Sequence, residues 1–116
     1  MRSLCLVAFL LALSAHNACA STGNSWKEEC DQPNDALQVG FCIARIEGVV
    51  EGLGTGLQTP QRSLPFCTPD GVTNGQIKDI VYKYIVDHPE QRQLHLSEIA
   101  LYALIAAFPR PKAGCR

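Results

Sequence analysis

No G-x-S-x-G elbow, Gly-rich phosphate loop or Ser/His/Asp grouping occurs in these 116 residues, so the usual signatures of hydrolases and nucleotide-binding enzymes are missing. The six cysteines include no C-x-x-C pair, and His95 has Ile99 rather than a second ligand at i+4, so zinc-site spacing is absent. The triplet His88-Pro89-Glu90 contains the H-x-E of zinc deaminases, but no P-C-x-x-C follows it. Ten Lys and Arg stand against eleven Asp and Glu, with no basic stripe for nucleic acid and no polybasic segment for anionic lipid. Strand-like alternation of useful length, internal repeats and low-complexity tracts are also missing, which leaves a helical pattern as the one to be read. Long apolar runs are scarce. LCLVAFLLAL at residues 4–13 holds about ten residues, half of the roughly twenty that span a bilayer.

That run is nonetheless informative. Arg2 precedes it and Ala18-Cys19-Ala20 forms a small-x-small site before Ser21, the arrangement of a secretory signal peptide over residues 1–20. A retained anchor is opposed by its length. Lipidation at Cys19 is opposed by His16-Asn17-Ala18, which lacks the Leu-Ala/Ser-Gly/Ala character of a lipoprotein signal. Cleavage near Ala20/Ser21 leaves one soluble domain, residues 21–116, not attached to a membrane, with nine basic against eleven acidic residues and a formal charge of −2. It also leaves Cys30, Cys42, Cys67 and Cys115. Four cysteines in a small exported chain predict two disulfides, because an oxidising compartment lets them persist and a core this small gains from them.

Three segments carry helical patterns. In QIKDIVYKYIVDH, Ile77, Ile80, Val81, Tyr84 and Ile85 follow i, i+3, i+4, i+7, i+8, while Lys78, Asp79, Lys83 and Asp87 take the other side. Thr73 and Gln76 are spaced as a capping box at its start, and Pro89 ends it. Residues 94–108 are apolar around most of the circumference, relieved by His95, Ser97, Glu98 and Tyr102, which predicts a helix central to the fold or buried in a dimer. Residues 36–53 form the third. There Gly40, Ala44, Gly48 and Gly52 make a small-residue stripe along which another helix of the core can approach. A polar loop, residues 54–66, follows. The expected fold is all-α: a small disulfide-braced bundle of three main helices plus a short N-terminal helix or turn around Trp26.

Four cysteines allow three connectivities. If helices 76–87 and 94–108 form an antiparallel hairpin through the His88-Pro89 corner, Cys67 and Cys115 come together. Cys30 and Cys42 are then left to tie the Trp26 segment to the long helix. The same hairpin separates Cys67 from His88 by about twelve helical residues, roughly 18 Å, too far for a thiolate–imidazole pair. Glu47 and Glu51 lie on adjacent turns, where paired carboxylates could do acid–base work, but a solvated helix face accounts for them more simply. The sequence thus gives no catalytic residue, no metal ligand set and no cofactor site.

The ordered set F-C-T-P-D-G-V-T-x-x-Q-I-x-x-I-V-x-x-Y-I-x-x-H-P-E, with A-L-x-x-A-F-P at residues 103–109, resembles the Tai/Rap family of type VI secretion amidase immunity proteins. The likeness covers residues 67–109 well and residues 42–48 more weakly. It implies a periplasmic, mainly helical, disulfide-bonded protein, often a homodimer, that plugs the active-site cleft of a peptidoglycan amidase delivered by sister cells. Two departures stand out. Where that family usually reads Phe-Pro-Cys, this chain reads Phe108-Pro109-Arg110 and places Cys115 five residues later, so the bridge to Cys67 must reach a longer tail. Arg45 stands ahead of Gly48 where an aromatic is common.

Occlusion needs a rigid scaffold and an exposed loop that fits the enzyme groove. Gln58, Gln61 and Arg62 in the loop after the long helix are the expected contacts with the amidase, against the plainer reading of a connector. A periplasmic chaperone of the small acid-stress kind, also helical, dimeric and disulfide-linked, is the competing class. A secreted hydrolase is a weaker third, for want of a nucleophile–base grouping.

Overall fold

The computed structural model describes residues 21–32, 34–60 and 62–115, so the expected signal peptide and Gln61 lie outside the described residues. Among the described residues four α-helices form: α1 Gly23–Cys30, α2 Ala36–Leu57, α3 Asn74–Asp87 and α4 Leu96–Ala107, with a 3-10 turn, Pro89–Gln91, between the last two. Among the described residues there is no strand, only isolated antiparallel bridges at Thr22/His95, Thr59/Arg62 and Phe66/Pro109. The fold is all-α, as the sequence pattern predicts.

Each helix starts on a side chain able to accept from, or reach back to, the free amides of its first turn. Thr73 Oγ1 accepts from the Gln76 amide at 3.2 Å while Gln76 Oε1 accepts from the Thr73 amide at 2.8 Å, the capping box read from the sequence. Thr22 and Ser25 exchange the same pair of bonds ahead of α1, at 3.3 and 3.1 Å. Asp35 accepts from the Leu37 and Gln38 amides at 2.9 and 3.2 Å. At α4, Glu98 Oε2 accepts from the His95 amide at 3.2 Å.

The core joins all four helices. Trp26 from α1, Cys42 and Ile46 from α2, Ile77, Val81 and Ile85 from α3, and Leu96, Ile99, Ala100, Ala103 and Leu104 from α4 are buried in one cluster, together with Phe66 from the loop. The buried positions of α4 follow i, i+3, i+4, i+7, i+8, so this helix is central and its apolar coat is spent on the core. Trp26 Nε1 donates to the Cys42 carbonyl at 3.1 Å, which satisfies the one polar atom of the largest buried side chain. Disulfides join Cys30 to Cys42 and Cys67 to Cys115, each with 5.4 Å between Cα atoms.

Three features differ from the sequence expectation. First, the stripe Gly40, Ala44, Gly48 and Gly52 faces solvent rather than a core helix, and a Cβ added at any of its glycines would meet nothing within 4 Å. The opposite side of α2 carries Cys42, Ile46, Val49, Val50 and Leu53, whose larger apolar area decides the orientation. Second, α2 runs on to Leu57 instead of ending at Leu53, with the Gln58 amide donating to the Gly54 carbonyl at 3.3 Å. Packing of its inner face carries the helix through glycines that propensity alone would not sustain. Third, α4 begins at Leu96 because Leu94 and His95 are paired with the chain's N-terminal stretch. The Gly23 amide donates to the Leu94 carbonyl at 3.1 Å and the Leu96 amide to the Ser21 carbonyl at 2.8 Å. A Cβ on Gly23 would stand 2.4 Å from Ile99 Cδ1 and 3.0 Å from the Arg92 carbonyl oxygen, so this close approach requires glycine.

Candidate functional site

The loop between α2 and α3 is held at both ends. Thr59 and Arg62 close a tight turn, with amide-to-carbonyl bonds of 2.9 and 3.1 Å in the two directions, and this leaves Gln58 and Arg62 exposed on its flanks. Phe66 then plunges into the core at 4 % exposure and bridges Pro109, while the Cys67 amide donates to the Phe108 carbonyl at 2.9 Å. The end of α4 and the end of the loop are therefore laced together before the disulfide adds its constraint.

The tail after α4 doubles back. Gly114, at φ 86°, donates its amide to the Pro111 carbonyl at 3.0 Å, and this left-handed turn returns Cys115 to Cys67. Arg110 takes the position where the related motif has cysteine. Its Nη1 donates to the Leu64 carbonyl at 3.1 Å and lies 3.5 Å from Cys115 Sγ, tying tail to loop. Together the two segments wall an open groove of about 630 Å3, lined by Gln58, Ser63, Leu64, Thr68 and Arg110 over the Cys67–Cys115 bridge. Of the three residues that the sequence offers as effector contacts, Gln58 lines this groove, Arg62 stands next to the lining residue Ser63, and Gln61 lies outside the described residues; the tail wall has no local signature because it depends on a turn at Gly114 and a bond from Arg110 to residue 64.

The other chemically suggestive residues stand apart from this groove. His88 sits at the end of α3, its ring 4.2 Å from that of Tyr84 and its Nδ1 3.2 Å from Glu90 Oε1. Cys67 is committed to its disulfide, so no thiolate is available there. Glu51 is exposed and Glu47 half-buried on α2. Among the described residues no cluster of three or more His, Cys, Asp or Glu is placed to hold a metal ion.

A polar strap joins α1 to α3. Lys27 Nζ donates to Asp31 Oδ2 at 2.6 Å, and the Tyr82 hydroxyl donates to Asp31 Oδ1. The hydrogen bond from Lys27, then that from Tyr82, holds the Asp31 carboxyl below its ordinary range. The same bonds to Asp31 hold the Lys27 ammonium and the Tyr82 phenol above theirs. Because the folded value of Asp31 is depressed, its contribution to stability is present above the unfolded carboxylate pKa of about 3.9 and is lost as pH falls through the folded value. Asp31→Asn should therefore flatten the acid side of the stability profile below about pH 4, read by thermal melts across pH. The effect should be small and should fade with added salt, because the pair is solvent-exposed. An unchanged acid limb would rule the strap out as its origin.

The described residues thus form a helical scaffold that presents a stapled loop and a groove. Residues 22–109 match the family model described as Rap1a immunity proteins, and the chain belongs to that family. No curated protein and no solved structure matches the chain. Family membership makes it an immunity protein against an effector of type VI secretion, in a family that is generally non-enzymatic and typically periplasmic. Among the described residues no helix is long and apolar enough to cross a membrane.

Proposed function

We propose that the protein acts in the periplasm as a homodimer that binds a type VI peptidoglycan amidase and occludes its active-site cleft, protecting the cell from sister-cell intoxication. The observation that carries this reading is the family match across residues 22–109. The braced loop after α2 supports it, since a rigid projection inhibits without paying the ordering cost of a flexible one. Gln58, Gln61 and Arg62 supply polar groups able to satisfy the catalytic residues they would cover. The dimer contact falls on the outer face of α2 rather than on α4. Leu37 and Phe41 are 66 % and 57 % exposed there, and the glycine row beside them lets a second helix backbone come close.

Co-expression with the amidase encoded beside it, both directed to the periplasm, tests the reading. Protected cells and a complex on gel filtration, with the mass of two copies of this chain, are expected. Lysis of the cells together with separate elution would overturn it. Replacing Gln58, Gln61 and Arg62 together with alanine should weaken amidase inhibition at least tenfold while leaving the melting temperature within a few degrees, because Gln58 and Arg62 are exposed and polar loop substitutions of this kind cost little stability.

A further inference from the structure

Charge is distributed unevenly around the groove. Residues 52–69 and 99–116, the two stretches that build its walls, contain no Asp or Glu, although the chain holds eleven acids against ten Lys and Arg. Arg110 lies in the lining, while Arg62 and Lys112 are chain neighbours of the lining residues Ser63 and Ala113. Elsewhere Lys27, Arg45, Lys78 and Lys83 each meet a carboxylate within 2.6 Å, and Arg92 donates to the Ile85 and Val86 carbonyls. Among the described residues Arg62, Arg110 and Lys112 meet none within 4.0 Å. One end of a net acidic protein is thus positive and concave, with no carboxylate paired to these cations among the described residues.

We infer that the groove between the loop after α2 and the C-terminal tail receives an acidic segment of the effector protein, with Arg110 binding its carboxylate. The inference rests on the effector-binding reading above and names the surface and the chemistry of its partner. Arg110 is suited to the task by its posture. The Leu64 carbonyl takes Nη1, which fixes the plane of the guanidinium before the partner arrives, and the remaining N–H groups can bind a carboxylate in the forked geometry that lysine lacks. Ser63, Thr68 and Gln58 stand around it with hydroxyl and amide groups for the rest of the incoming segment. Lys112, and Arg62 in addition to its direct contact, stand beside the groove lining and act at longer range as well: they steer an acidic surface toward it and raise the association rate.

The test measures association and dissociation rates of the purified amidase with this protein at two salt concentrations. Arg110→Gln should weaken binding at least tenfold, mainly through faster dissociation. Arg62→Glu and Lys112→Glu, at exposed positions, should slow association severalfold and reduce its salt dependence. A lysine scan of the amidase's surface acids should find one substitution whose binding loss Arg110→Glu reverses at least tenfold. Because Arg110 also ties the tail, the two surface variants and the reciprocal charge swap keep the result independent of local folding. A tight complex whose rates are indifferent to salt and to all three substitutions would overturn this inference while leaving the inhibitor reading intact. Failure of the wild-type protein to bind the amidase at all would overturn both.

Discussion

Trp26→Ala should lower the unfolding free energy by about 3–5 kcal/mol, the range for removing a large buried aromatic. Trp26 is fully buried, heads the core cluster and is the only tryptophan of the chain. It is also the means by which an eight-residue helix, too short to persist alone, is fastened to the bundle. Its indole N–H reaches the Cys42 carbonyl, so the side chain and the Cys30–Cys42 bridge clamp the same point of α2. Since a domain of this size is stable by about 5–15 kcal/mol, the substitution removes about a fifth of the whole or more. Trp26→Phe separates the two contributions: it keeps most of the apolar area and loses the hydrogen bond, for a cost of about 1–2 kcal/mol. Urea unfolding followed by far-ultraviolet circular dichroism reads both. A loss below about 1 kcal/mol for Trp26→Ala would mean that α1 is dispensable to the bundle.

The elements visible in the sequence are those whose cause is local. The Thr73/Gln76 box, the stop at Pro89 and the periodicity of α3 each depend on residues within a few positions, and the structure places all three where the pattern does. The disulfide pairs followed from one topological step, the hairpin of α3 and α4. What could not be read locally is orientation. The glycine row of α2 and the row of Cys42, Ile46, Val49 and Leu53 both recur at helical spacing; the second turns inward onto Trp26 because it carries the larger apolar area, a comparison that the small-residue spacing by itself obscures. The docking of Ser21–Gly23 on Leu94–Leu96 was equally hidden, since backbone pairing between segments seventy residues apart carries no side-chain signature beyond the small size of Gly23. Of the groove lining, loop polarity in the sequence points to Gln58, with Arg62 beside the lining at Ser63, whereas Arg110 looks there only like a departure from a motif. Its meaning lies in a carbonyl forty-six positions away.

Breaking the Cys67–Cys115 bridge, as Cys67→Ser with Cys115→Ser, should cost stability and binding together. The bridge spans 48 residues, and in the loop-entropy account a closed loop of that size contributes about 4 kcal/mol, against about 3 kcal/mol for the 12-residue span of Cys30–Cys42. The two bridges differ more in what they hold. Cys30–Cys42 ties α1 to α2 inside the core, whereas Cys67–Cys115 is the floor of the groove and the anchor that turns residues 110–114 back over it. Without it the tail keeps the bond from Arg110 to Leu64, one hydrogen bond worth about 1 kcal/mol, too little to pay for ordering five residues. Both double variants should therefore melt at lower temperature by similar amounts. The Cys67/Cys115 variant alone should lose most of its affinity for the amidase, while Cys30→Ala with Cys42→Ala, assayed below its own melting point, should bind as the wild type does. Equal affinity losses in the two would indicate that stability, rather than the tail wall of the groove, governs recognition. An intact complex with the Cys67/Cys115 variant would move the contact surface to another face of the bundle.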